Sequence, residues 1–159
     1  EQHRVRSRTK SVGRAAASFD HFMRHEEIQA YLQQLADEYP NLVSLQSVGQ
    51  SSEGREMTVI RVSRSHGTAP RAVLVDAGIH AREWIAPATA LYLINRLVEH
   101  TDQHRDLLQG LDWYILPVVN PDGYEYTHTK DRFWRKNRGA KRETWLKWLW
   151  DLLCEPGAD

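Results

Sequence analysis

A single cysteine, Cys154, excludes an internal disulfide framework, so any fold this chain adopts has to rest on an apolar core. A lone thiol neither demands nor forbids an oxidising compartment. No apolar run approaches the roughly 18 residues of a spanning helix, and no apolar N-terminal stretch of about 7 to 15 residues precedes the globular part, so the chain reads as a soluble segment. Charge of one sign is missing as well. Lys and Arg number 21 against 21 Asp and Glu, so the chain as a whole lacks the cationic excess of a general nucleic-acid binder. Neither an internal repeat nor a low-complexity tract is present. What remains is ordinary: 159 residues, 41% hydrophobic and 26% charged, enough to bury the core of one compact domain.

Residues 1–17 carry Arg4, Arg6, Arg8, Lys10 and Arg14 with almost no apolar partners, too little to hold a fold. They read as a basic linker or an exposed junction open to trypsin-like cleavage, with a nucleic-acid arm as the alternative. From His25 to Tyr39, Ile28, Tyr31, Leu32 and Leu35 recur at helical spacing and Pro40 supplies a stop, which predicts an amphipathic helix. Strands are expected at 43–48, 57–63 and 72–79, each rich in β-branched residues and divided by the turn clusters GQSSEG and SHGTAP. The third is the most apolar and is expected to be the most buried. Pro87 suits the first turn of a helix running to about His100, with Leu91, Ile94, Leu97 and Val98 on its apolar side. A fourth strand, Trp113 to Val119, should end at a turn formed by Asn120-Pro121-Asp122-Gly123. The alternation predicts α/β layering.

Two stretches could carry chemistry. His80 and Glu83 stand where the third strand gives way to a loop and a helix, the edge at which open α/β sheets hold ligands. On a turn, an imidazole nitrogen and a carboxylate oxygen at that spacing can aim at one zinc ion. With 8 His among 159 residues, such a spacing also arises by chance, and His128 with Asp131 repeats it. His80 could equally cap a strand end. Farther on, Arg132, Arg135, Lys136 and Arg138 interleave with Phe133 and Trp134. That cluster fits either phosphate and base stacking or a solvated face with an aromatic anchor.

Together, AGIHAREWIAPATALYLINRL and LPVVNPDGYEYTHTKDRFWRKNR, in that order, closely resemble the carboxypeptidase A/B family of zinc metallocarboxypeptidases. The resemblance covers about residues 18–138, which it identifies as the N-terminal part of the catalytic domain. It implies a partial mixed β-sheet flanked by helices, with His80 and Glu83 as two of three protein ligands to Zn2+. Arg82 falls at a substrate-cleft arginine. Arg135 matches the catalytic arginine that binds substrate by polarising the scissile carbonyl and stabilising its oxyanion. The implied activity is removal of C-terminal residues from peptides by zinc-promoted attack of water, in an extracellular setting. Peptide or protein C-termini would be the partners, with propeptides or protein inhibitors besides.

Beyond Arg138 the resemblance ends. The family's Asn-Arg pair for the substrate carboxylate, its second zinc-binding His, its capping Tyr and its general-base Glu have no match here. Residues 139–159 instead crowd Trp145, Trp148 and Trp150 into a segment apolar nearly all round, which reads as a divergent tail. A shortened, inactive product is the expectation, and a membrane-surface or partner-binding helix the rival. A non-catalytic peptide- or inhibitor-binding fragment and a basic-aromatic nucleic-acid binder are the alternatives in function. The family's residues that choose between apolar and basic C-terminal side chains lie outside this sequence.

Overall fold

The computed structural model describes residues 19–139, so the basic segment and nearly all of the Trp-rich segment lie outside the described residues. Helix α1 spans His25–Glu38. It forms because Ile28, Tyr31, Leu32 and Leu35 share one face, all fully buried. Its start is fixed by Glu27, whose carboxylate accepts the Arg24 backbone N–H at 2.7 Å, and Glu26 and Glu27 favour the positive helix end.

After Pro40 the chain enters β1 (Val43–Gln50) and β2 (Glu56–Val62), an antiparallel hairpin paired from Val43 with Val62 to Gln50 with Glu56. Strand β3 (Arg71–Asp76) leads through a loop into α2 (Ile85–Val98), two short 3-10 turns, and β4 (Leu111–Leu116). The sheet order is β1-β2-β4-β3, with β4 antiparallel to β2 and parallel to β3, so the sheet is mixed.

Register assigns the two faces. Ile60 lies opposite Ile115 and Val62 opposite Trp113, while Val73 and Val75 of β3 stand beside the same two β4 residues. This face meets α1 and α2 in one core with Leu91, Ile94, Leu97 and Leu35. On the other face, Leu74 sits beside Tyr114 and is 72% exposed.

That exposure corrects one expectation. The third strand is not the most buried, because β3 is an edge strand and nothing among the described residues covers its second face. It also ends at Asp76, and β4 at Leu116, earlier than expected. Asn120-Pro121-Asp122-Gly123 forms no free turn either. It starts helix α3 (Pro121–Thr129), with Asn120 as N-cap and Pro121 in the first position, where its missing N–H costs nothing.

Candidate functional site

Because β3 and β4 are parallel, the loops that leave their C-terminal ends run side by side. The pairing continues past the strands: Ala77 N donates to Leu116 O at 3.0 Å, Val119 N to Ala77 O at 2.8 Å, and Asn120 N to Gly78 O at 3.2 Å. Gly78 turns the chain out at φ 66°, a left-handed value suited to glycine, and a Cβ there would come within 3.0 Å of Pro87 Cγ. The following residues make a tight turn in which Glu83 N donates to His80 O at 3.2 Å. His80 and Glu83 therefore project together, with His80 Nδ1 at 3.0 Å from both Glu83 Oε1 and Oε2. Both are accessible, at 36% and 48% side-chain exposure.

Arg135 reaches the same place from the segment after α3. Its Nη2 lies 3.5 Å from His80 Nδ1, a long contact, while its carbonyl accepts the Ala81 N–H at 3.1 Å. His80 and Arg135 line one cleft of about 690 Å3 with Ile79, Met57, Asn120 and Lys136. Arg82 is not part of that lining: the residue is exposed, and its backbone carbonyl accepts from Arg132 Nη1 at 2.9 Å. His80, Glu83 and Arg135 are brought together by their contacts, with His80 and Arg135 lining the cleft and Glu83 and Arg82 outside its lining.

The basic-aromatic cluster resolves into separate contacts. The Arg132 guanidinium lies 3.8 Å from the centroid of the Trp84 ring, and Arg138 covers Tyr126 at 4.0 Å while bonding Glu53 at 3.1 Å. Phe133, 77% exposed, stands clear. The second His-x-x-acid spacing makes no joint site. His128 stacks on Trp84 at 3.9 Å with the rings parallel to 1°, and Asp131 accepts the Phe133 N–H at 2.9 Å. Burial pushes the His128 imidazole below its ordinary value. Of the other histidines, His104 accepts from Arg96 Nε at 3.2 Å.

Sequence reading missed the residues that hold the site in place. Asp122, buried at the start of α3, accepts from Ser51 Oγ at 2.6 Å, Arg55 Nη1 at 2.7 Å and Glu53 N at 3.0 Å, tying the β1–β2 turn beneath the cleft. Burial works against its charge, yet these donors outweigh it and hold the carboxyl below its ordinary value. Trp84 Nε1 donates to Thr127 Oγ1 at 2.8 Å, joining the loop after Glu83 to α3. The available signal was Asn followed by Pro and Asp, which starts helices as readily as turns.

The donor chemistry fits part of a zinc site. Ligands at about 2.0–2.2 Å from a tetrahedral ion stand roughly 3.3–3.5 Å apart, close to the 3.0 Å between His80 and Glu83. No group of three or more His, Cys, Asp or Glu suited to a metal occurs among the described residues.

Known proteins resemble this chain in sequence and fold. The family description "Zinc carboxypeptidase" matches residues 28–159, a span that takes in the Trp-rich segment. A carboxypeptidase B from Astacus astacus is 45% identical over 114 residues, covering 72% of this chain and 37% of that protein. The crystal structure of the carboxypeptidase A from Helicoverpa armigera superposes with a TM-score of 0.76 at 40% identity, over 85% of this chain and 33% of that one. Bovine thrombin-activatable fibrinolysis inhibitor in complex with tick carboxypeptidase inhibitor gives a TM-score of 0.69 at 37% identity, over 77% of this chain and 39% of that one. The chain thus spans about a third of the length of the relatives it matches. With the family match running through more than half of its residues, the chain belongs to the zinc carboxypeptidase family.

Proposed function

We propose that the chain supplies one side of a metallocarboxypeptidase site, with His80 and Glu83 as zinc ligands and Arg135 as the group that steadies the scissile carbonyl oxygen of a peptide C-terminus. The observation that carries this reading is the meeting of His80 with Glu83 at 3.0 Å and with Arg135 at 3.5 Å, from segments far apart in sequence. Zinc, when bound, would polarise the carbonyl and acidify water. His80 and Glu83 hold the cation. The Arg135 main chain is held by the Ala81–Arg135 backbone bond, and its guanidinium, beside His80, would face the place where negative charge grows. Arg82 serves at the rim of the substrate cleft, outside the pocket that His80 and Arg135 line.

A catalytic zinc takes three protein ligands and an open position, and here two are assigned. The 159-residue chain alone is therefore expected to bind zinc weakly and to turn over no peptide. Binding of a protein inhibitor without turnover is a second reading, favoured by the relative whose structure contains tick carboxypeptidase inhibitor. An extracellular setting is part of the proposal and rests on the family resemblance. The test is a zinc titration followed by NMR on the His80 ring, with His80→Ala and Glu83→Ala controls and a parallel assay on peptides ending in apolar and basic residues. A His80-centred zinc response without hydrolysis is expected. No response at His80 would sink the metal assignment, and zinc-dependent hydrolysis lost in His80→Ala would sink the inactivity.

A further inference from the structure

We propose that Asn120 is a positioning residue, whose side-chain amide sets how His80 and Arg135 face each other; this rests on the roles given to those two residues above. Asn120 is 7% exposed and uses both donors of its amide and one acceptor position of its oxygen. Its Oδ1 accepts the Gly123 N–H at 3.0 Å, the helix-capping contact. Its Nδ2 donates to Ile79 O at 3.2 Å and to Lys136 O at 3.1 Å. The amide orientation follows from the partners, since an N–H needs an acceptor and two carbonyls need donors.

Those two carbonyls belong to the residues next to His80 and next to Arg135. The bond from Ala81 N to Arg135 O at 3.1 Å closes the circuit, so Asn120, the 79–81 turn and the 135–136 segment form one hydrogen-bonded ring. Backbone contact adds a further anchor, Asn120 N to Gly78 O at 3.2 Å. Capping α3 needs only an acceptor, and Asp, Ser or Thr would serve for that. Bridging two carbonyls while capping needs two donors and an acceptor at one short side chain, which is asparagine. The space is fitted to it: a Cβ on Gly123 would come within 2.6 Å of both Asn120 Nδ2 and Lys136 O.

Asn120→Asp separates capping from clamping, because it keeps the capping oxygen and replaces the donor with a second acceptor facing two carbonyls. Amide hydrogen exchange and zinc titration are run on the full chain for wild type, Asn120→Asp, Asn120→Ala and His80→Ala. In Asn120→Asp we expect Gly123 to keep its protection, while the Ala81 amide exchanges about tenfold faster and zinc affinity at His80 falls about 10- to 100-fold. Asn120→Ala should lose protection at Gly123 as well. An Asp variant matching wild type at Ala81 and in zinc affinity would reduce Asn120 to a helix cap and overturn the proposal. If the wild type shows no His80-dependent zinc response, the metal reading fails, and the Ala81 exchange still decides the clamp. Should Asn120→Asp not fold, the wild-type Asn120 side-chain NH2 gives the answer: two slowly exchanging protons support the clamp, and free exchange rejects it.

Discussion

The two faces of the sheet show how far a strand's composition and its burial can diverge. On one face Ile60, Val62 and Ile115 are 0% exposed beneath α1 and α2. On the other, Leu74 projects from β3 at 72% exposure, although its neighbour Val75 packs against the core. Adjacent residues of one apolar strand thus live in opposite environments. Hydrophobicity states what a strand would gain from cover, while only the neighbouring elements supply it.

The largest test of this contrast is Ile115→Ala, on the covered face. Removing a fully buried branched chain should destabilise by about 2–5 kcal/mol in chemical denaturation, a transfer loss plus a cavity. A cost below about 1 kcal/mol would mean that the face is loosely filled. Asp122→Asn, at the junction of α3 with the β1–β2 turn, comes next. It should cost about 1–3 kcal/mol through weakened bonds to Arg55, Ser51 and Glu53.

The same residue gives a pH test with a definite sign. Asp122 is held below its ordinary value, and so is Glu125, where burial is outweighed by bonds from Arg24 and the His25 N–H. A depressed native value contributes stability above the unfolded carboxyl range of about 4, and that stability is lost as pH falls through the depressed values. Unfolding followed from pH 7 downward should therefore show one decline below about 6.5, from His25 and His128, whose values burial lowers, and a second below about 4, shallower in Asp122→Asn. The smallest effect is expected for Leu74→Ser on the open face, within about 0.5 kcal/mol of wild type. A substantial loss there would show that something covers β3.

Legibility in the sequence followed the range of the interaction. Helix α1 was plain because Ile28, Tyr31, Leu32 and Leu35 repeat locally, and the hairpin was plain from its turn cluster. The His80–Glu83 pair lies within one turn, so its spacing alone suggested convergence. Arg135 had no such local sign. Its approach to His80 depends on parallel strands, and only family resemblance pointed to it. The basic cluster stayed ambiguous for the converse reason: Arg132 and Arg138 are spent on Trp84, Tyr126 and Glu53, partners fixed by the fold. Asn120-Pro121-Asp122-Gly123 was ambiguous chemically, and the contacts of Asn120 with Ile79 and Lys136 show what tertiary structure built on it.

Gly123 is a tight point of this chain, hemmed in by backbone and a short side chain. A single added methyl would press on the Asn120 amide and on the Lys136 carbonyl together, since both stand 2.6 Å from where it would lie. Both obstacles are firmly held, one being backbone and the other a short side chain locked by its bonds, so neither can swing aside cheaply. Mutational drift at this position therefore has no direction in which to move gradually. In a deep library of single substitutions, tolerance should drop to glycine alone here, while the exposed Phe133 nearby accepts most replacements.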